Sequence, residues 1–147
     1  MAKYAQKTTV DVGRSLQEIQ DLLRRYGATQ FLIDYEQNRI GFSLLSRKVI
    51  FTMPAVNIDH TIQKTPTGKN RNADAQQTAL AQKERQQWRA LLLIIKAKLE
   101  AIDSGITTLD QEFMAFYLLK NGQTLAQTIL PQLQQPDIIP KLNNGVN

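Results

Sequence analysis

Few side chains in this chain have the types and spacing to do chemistry. Asp59-His60 is an acid beside the only histidine, and Asp34 and Glu36 stand two apart. Lys64, Lys69 and Arg71 crowd one polar stretch, with Arg47 and Lys48 upstream of it. Arg85, Arg89 and Lys96 accompany the lone tryptophan, Trp88. A His–Asp pair can act as a general base, but no Gly-x-Ser-x-Gly nucleophile motif accompanies it, so a bystander in a loop is the simpler reading. Asp34 and Glu36 could hold a divalent cation, yet such sites draw further oxygen ligands from elsewhere and no Asp-rich spacing supplies them. A solvated strand face, with Arg39 as salt-bridge partner, is preferred.

Thr65-Pro66-Thr67-Gly68-Lys69-Asn70 has the outline of a phosphate loop. That motif needs a glycine five residues before Gly68, where Gln63 stands, and a Ser or Thr after the lysine, where Asn70 stands. Nucleotide binding of that kind is excluded. There is no cysteine, which removes disulfides, thiolate zinc sites, iron–sulfur clusters and a Cys nucleophile. The expectation is therefore a non-enzymatic protein with no catalytic residue, metal or cofactor.

Cations remain. The formal charge is +5, and residues 1–72 carry 11 basic against 6 acidic groups, so the excess belongs to that half. A basic loop beside a small sheet can contact phosphates, or it can simply be solvated; charge asymmetry leaves both open. At about 100° per residue Arg85, Arg89 and Lys96 share one shoulder of a helix beside Trp88. An aromatic bordered by cations suits a nucleic-acid strand, whereas a core tryptophan with snorkelling or paired cations is the preferred reading of Trp88 itself. The candidate nucleic-acid-binding set is Arg47, Lys48, Lys64, Lys69, Arg71, Arg85, Arg89 and Lys96.

The elements that must position these groups follow from periodicity. From Ala73 to Ile102 apolar residues recur at Trp88, Leu92, Ile95, Leu99 and Ile102, widened by Leu91 and Ile94, which predicts a long amphipathic helix as the spine of the core. Lys7 to Val12 alternates like a short strand. Ser15 and Glu18 have the form of a capping box for a helix from Ser15 to Tyr26, closed by Gly27. Phe31–Glu36, Arg39–Leu45 and Val49–Met53 alternate as strands, with turns at Gln37-Asn38 and Ser46-Arg47-Lys48. Residues 55–72 lack a period and read as a mobile loop. Thr108 and Gln111 can cap a helix from Leu109 to Leu119, and Thr124 a short one that Pro131 interrupts.

The predicted class is α+β: a three- to four-stranded antiparallel sheet in the order β-α-β-β-β-α, a long helix on one face and a C-terminal helical segment. One domain spans residues 1–130, and 131–147 form a partly ordered tail. The start lacks the apolar block of a signal peptide, and the longest apolar run, Ala90 to Ile95, is too short to span a bilayer. The same element order occurs in double-stranded-RNA-binding domains, but Ala73-Asp74-Ala75-Gln76-Gln77 lacks their basic cluster.

Arg25-Tyr26-Gly27-Ala28-Thr29-Gln30-Phe31, the stretch Thr65 to Arg71, and Trp88 through Ala101 into Gly105-Ile106-Thr107-Thr108 and Glu112-Phe113 resemble a family of small proteins of bacteriophages, prophages and other mobile elements. The resemblance covers about residues 4–130, and the string running into Gly105-Ile106-Thr107-Thr108 is its most specific part. It brings no catalytic residues with it. It implies a mobile-element accessory protein in a bacterial cytoplasm. The expected partner is nucleic acid, DNA in preference to RNA. The alternative is a protein-interaction module that inhibits or redirects a host factor within a bacterial or phage protein complex. No membrane partner is expected, and apolar residues such as Leu93 and Phe116 are available for a homo-oligomer.

Overall fold

Asp11, and not Ser15, starts the first helix. In the computed structural model, which describes residues 8–133, the Asp11 carboxylate accepts from the Arg14 N–H at 2.8 Å, and α1 runs from Val12 to Arg25. Ser15 is inside the helix and fully buried, so the expected capping box does not form. The alternating stretch ahead of it is not a strand over Thr8–Asp11, and Lys7 lies outside the described residues. One cap with a good acceptor at the chain's entry outcompetes four alternating residues that have no strand to pair with. At the other end Gly27, at φ 89°, lets the Ala28 N–H reach back to the Leu23 carbonyl at 3.0 Å.

Three strands follow: β1 (Thr29–Asp34), β2 (Arg39–Leu44) and β3 (Arg47–Thr52), an antiparallel meander in the order β1-β2-β3. β1 ends earlier than its alternation suggests. The Asp34 carboxylate accepts the Gln37 N–H at 3.0 Å and turns Tyr35–Asn38 into a four-residue loop, which removes Glu36 from the strand. The second hairpin turns at Leu45-Ser46 rather than Ser46–Lys48, because Leu44 pairs with Arg47 and draws Arg47 and Lys48 into β3. On the inner face Ile40, Phe42 and Leu44 meet Val49 and Phe51, all buried.

α1 and the long helix cover that face. α2 is a single turn, His60–Gln63, and α3 runs from Ala73 to Asp103, about 46 Å long at the usual rise. Asn72 caps α3 by accepting the Ala75 N–H at 2.8 Å. Trp88, Leu91, Leu92, Ile95 and Leu99 are buried against the sheet and against Leu16, Ile19 and Leu23 of α1. Trp88 is a core residue, 4% exposed. The stripe is narrower than its periodicity implied, since Ile94 is exposed.

The C-terminal part is folded onto β3. α4 (Leu109–Phe113) starts with the expected Thr108–Gln111 capping box but gives way to a 3-10 turn at Met114–Phe116, well short of Leu119. The chain stops being helical because it pairs: Tyr117 bridges Val49, and the Leu118 N–H donates to the Lys48 carbonyl at 2.8 Å. A buried Phe113 meets Phe42 and Phe51 edge-on, at 6.4 and 6.2 Å between centroids. Phe116 lies 4.3 Å from Phe51 between centroids and so belongs to this packing rather than to a surface for oligomers. α5 (Leu125–Leu133) is capped by Thr124 and Gln127 and contains Pro131 without being interrupted by it. The tail expected over residues 131–147 lies outside the described residues beyond Leu133. No helix of the described residues is long and apolar enough to cross a membrane.

Candidate nucleic-acid interface

Within residues 55–72, expected to be a mobile loop, His60–Gln63 form α2 and residues 64–70 form a small hydrogen-bonded hairpin. Lys64 bridges Asn70, and the Thr65 N–H donates to the Lys69 carbonyl at 2.8 Å. Thr65 Oγ1 accepts the Lys69 N–H at 3.1 Å, and Gly68 takes φ 87°, so the turn closes on itself. Arg71 braces the base. Its guanidinium donates to the carbonyls of Thr61 and Ile62 at 2.7 and 3.1 Å, and its N–H to the Gln63 carbonyl. Ile62, buried, anchors the unit. The lack of a hydrophobic period hid this order because backbone, threonine and Arg71 hydrogen bonds supply most of it, with Ile62 the single buried apolar anchor.

The eight basic candidates therefore divide by what they already hold. Arg71 is spent on carbonyls. Arg89 forms an ion pair with Glu18 of α1, and Arg85 donates to Gln82. Arg47 pairs with Asp110 at 3.4 Å and lies over the Tyr117 ring. Among the described residues Lys48, Lys64, Lys69 and Lys96 have no acidic partner, and all four are exposed. They do not form one patch. Lys64 and Lys69 are on the hairpin and Lys48 is on the outer face of the sheet. Lys96 lines a groove between α1 and α3 with Arg25, Leu22 and Leu93, across the two-layer fold from Lys48.

Of the carboxylates considered, Asp34 and Asp59 are engaged elsewhere, and Glu36 is exposed in the turn after β1, out of the strand it was expected to share with Asp34. Arg39 pairs with Asp34 at 2.9 Å, as expected across the turn, and its hydrogen bond holds that carboxyl below its ordinary range. Asp59 caps α2. Hydrogen bonds from Thr61 lower its carboxyl to about 2, with Lys83 at 3.6 Å adding to the effect. Its oxygens face Thr61, Ile62 and Lys83, and it makes no hydrogen bond to His60. Among the described residues no cluster of three His, Asp or Glu side chains is arranged to hold a metal ion.

Sequence reading named Asp34, Arg39 and Lys48, which lie on the outer face of the sheet, but not the centre of that face. The side chains of the face form three rows across the strands, set by register. Asp34, Arg39 and Thr52 make the first row and Leu32, Gly41 and Ile50 the second, while Ser43 and Lys48 lie in the third beside Gln30. The signal was available: the alternation of Ile40, Phe42 and Leu44 leaves Gly41 on the opposite face, a residue without a side chain in the middle of a sheet. No family model, curated protein or solved structure matches the chain.

Proposed function

We propose that the protein is a non-enzymatic nucleic-acid-binding accessory protein, of the kind that mobile elements carry, working in the bacterial cytoplasm and contacting phosphates through the hairpin at residues 64–70 and through Lys48. The observation that supports this reading most directly is that Lys64 and Lys69 are held out, unpaired, on a hairpin whose geometry is fixed beforehand by its own hydrogen bonds. A preordered cationic element loses less conformational freedom on binding than a flexible one. A two-stranded ribbon also has the dimensions of a nucleic-acid groove. The overall charge of +5 favours approach to a polyanion. DNA is the preferred ligand.

The test is fluorescence anisotropy with labelled single- and double-stranded oligonucleotides over a salt series. Each phosphate contact contributes about 0.7–0.9 to the slope of log K against log salt. Lys64→Glu with Lys69→Glu is expected to weaken binding severalfold and to lower that slope by about 1.5. Unchanged binding in the folded double variant would remove the hairpin from the interface. A partner captured from lysate after nuclease treatment, with no binding to oligonucleotides, would instead favour a protein-interaction module acting on a host factor.

A further inference from the structure

The open face of the sheet carries a slot at its centre. Gly41 pairs with Leu32 on one side and Ile50 on the other, so the middle of the row has no side chain while both ends are aliphatic. The flanking backbones stand about 9.6 Å apart, two strand spacings. An open hollow of about 250 Å³ runs from this row to Gln30, Ser43 and Lys48, and Leu118, carried in by the segment that pairs with β3, closes one side of it. Leu32 at its rim is 57% exposed. At one end the surface turns polar: Ser43 donates to the Gln30 side-chain carbonyl at 2.9 Å, which leaves the Gln30 amide N–H groups to solvent, and Lys48 stands beside Ser43 without an acidic partner.

A flat apolar floor, an amide and a hydroxyl at its border and a single cation next to them match the parts of one nucleotide. We infer that this slot takes an unstacked base of a single strand. The ring stands on edge above Gly41, its two faces against Leu32 and Ile50, its polar edge meets Gln30 and Ser43, and its phosphate pairs with Lys48. The charge of Lys48 beside an apolar hollow argues for a nucleotide over a purely apolar occupant. A duplex keeps its bases stacked and cannot fill the slot, so the assignment makes the protein prefer single strands. The inference rests on the nucleic-acid reading above but uses residues apart from the hairpin.

The close surroundings of Gly41 make the test clean. A Cβ there would meet Ile50 Cγ1 at 3.5 Å, the Val49 carbonyl at 3.6 Å and Leu32 Cβ at 3.7 Å, all ordinary contacts. Gly41→Ala therefore folds, and Gly41→Val, β-branched and suited to a strand, fills the slot. With a labelled oligo(dT) strand and the same strand in duplex as probes, Gly41→Val is expected to weaken single-strand binding about five- to tenfold and leave duplex binding and the melting temperature in place. Should the valine variant melt early, Gly41→Ala carries the comparison with a smaller loss. Titrating wild-type protein with oligo(dT) is expected to shift the methyl resonances of Leu32 and Ile50. Unchanged single-strand affinity in a folded Gly41→Val, or methyl shifts confined to the hairpin, overturns the slot and leaves the hairpin reading intact. Loss of binding in Lys64→Glu/Lys69→Glu with none in Gly41→Val separates the two in the same way. No binding of either probe by the wild type ends both.

Discussion

The Tyr117 hydroxyl donates to Asp110 Oδ1 at 2.6 Å, and Arg47 at the start of β3 reaches the same oxygen at 3.4 Å. These bonds tie the C-terminal segment to the sheet. Partial burial and the neighbouring carboxylate push the Tyr117 hydroxyl up to about 12, and the Tyr117 hydrogen bond, with Arg47, lowers the Asp110 carboxyl. A raised tyrosine favours the folded state fully below its ordinary value of 10.0 and loses that contribution as pH climbs through about 12. Urea midpoints on either side of that window should fall with rising pH. Tyr117→Phe should flatten the fall. An equal pH dependence in the variant would place the alkaline transition elsewhere.

Ile95 is fully buried where α3, α1 and the sheet meet, whereas its neighbour Ile94 is 44% exposed. Ile95→Ala should cost about 2–5 kcal/mol in chemical denaturation, the range for deleting a core aliphatic group. Ile94→Ala should stay within about 0.5 kcal/mol. Similar costs at the two sites would show that the helix does not present the face described.

Leu45 and Ser46 close the second hairpin with φ 47° and 65°, a left-handed pair that two-residue turns normally give to Asn-Gly. Each costs about 1–2 kcal/mol in such backbone relative to a residue suited to it. The double change Leu45→Asn, Ser46→Gly should therefore raise stability, with a gain of up to about 2–4 kcal/mol in denaturant midpoint analysis.

Ser15 is fully buried and its hydroxyl has no hydrogen-bond partner among the described residues. Leaving such a group unsatisfied costs about 1–3 kcal/mol, and alanine is the better helix former. Ser15→Ala should be neutral or stabilising by about 1 kcal/mol in thermal melts. A marked loss would reveal a partner for the hydroxyl.

Acid should loosen the hairpin base before the core. Asp59, lowered to about 2, contributes stability that is complete above the ordinary 3.8 and is lost as pH falls through its folded value. Amide exchange at Thr61 and Ile62, whose N–H groups it accepts, should accelerate across that interval. Protection at Ile95 should not change there.

What sequence alone could resolve depended on whether one local signal acted without competition. The Ile95–Leu99 stripe, the alternation of β2 and the Thr108–Gln111 cap each had a single physical cause, and each forms. The elements that moved were contested. Glu36 left its strand because Asp34 bonds the backbone three residues on. Tyr117–Leu119 left a helix because β3 had an unpaired edge 68 to 70 residues upstream, which no window of sequence contains. The candidate interface was legible only as composition. Which cations are already taken, Arg71 by two carbonyls and Arg89 by Glu18, depends on tertiary partners, and the slot at Gly41 is visible only once three strands are in register.

Phe113, sealed between Phe42 and Phe51, has a consequence for how the molecule is made. A nascent chain that has delivered all three strands and the long helix still has an unfilled cavity at its centre and a raw rim along β3. Both close together, when the residues around 113–118 emerge from the ribosome. A version cut short at Asp103 should therefore stick to its own copies rather than wait as a quiet intermediate.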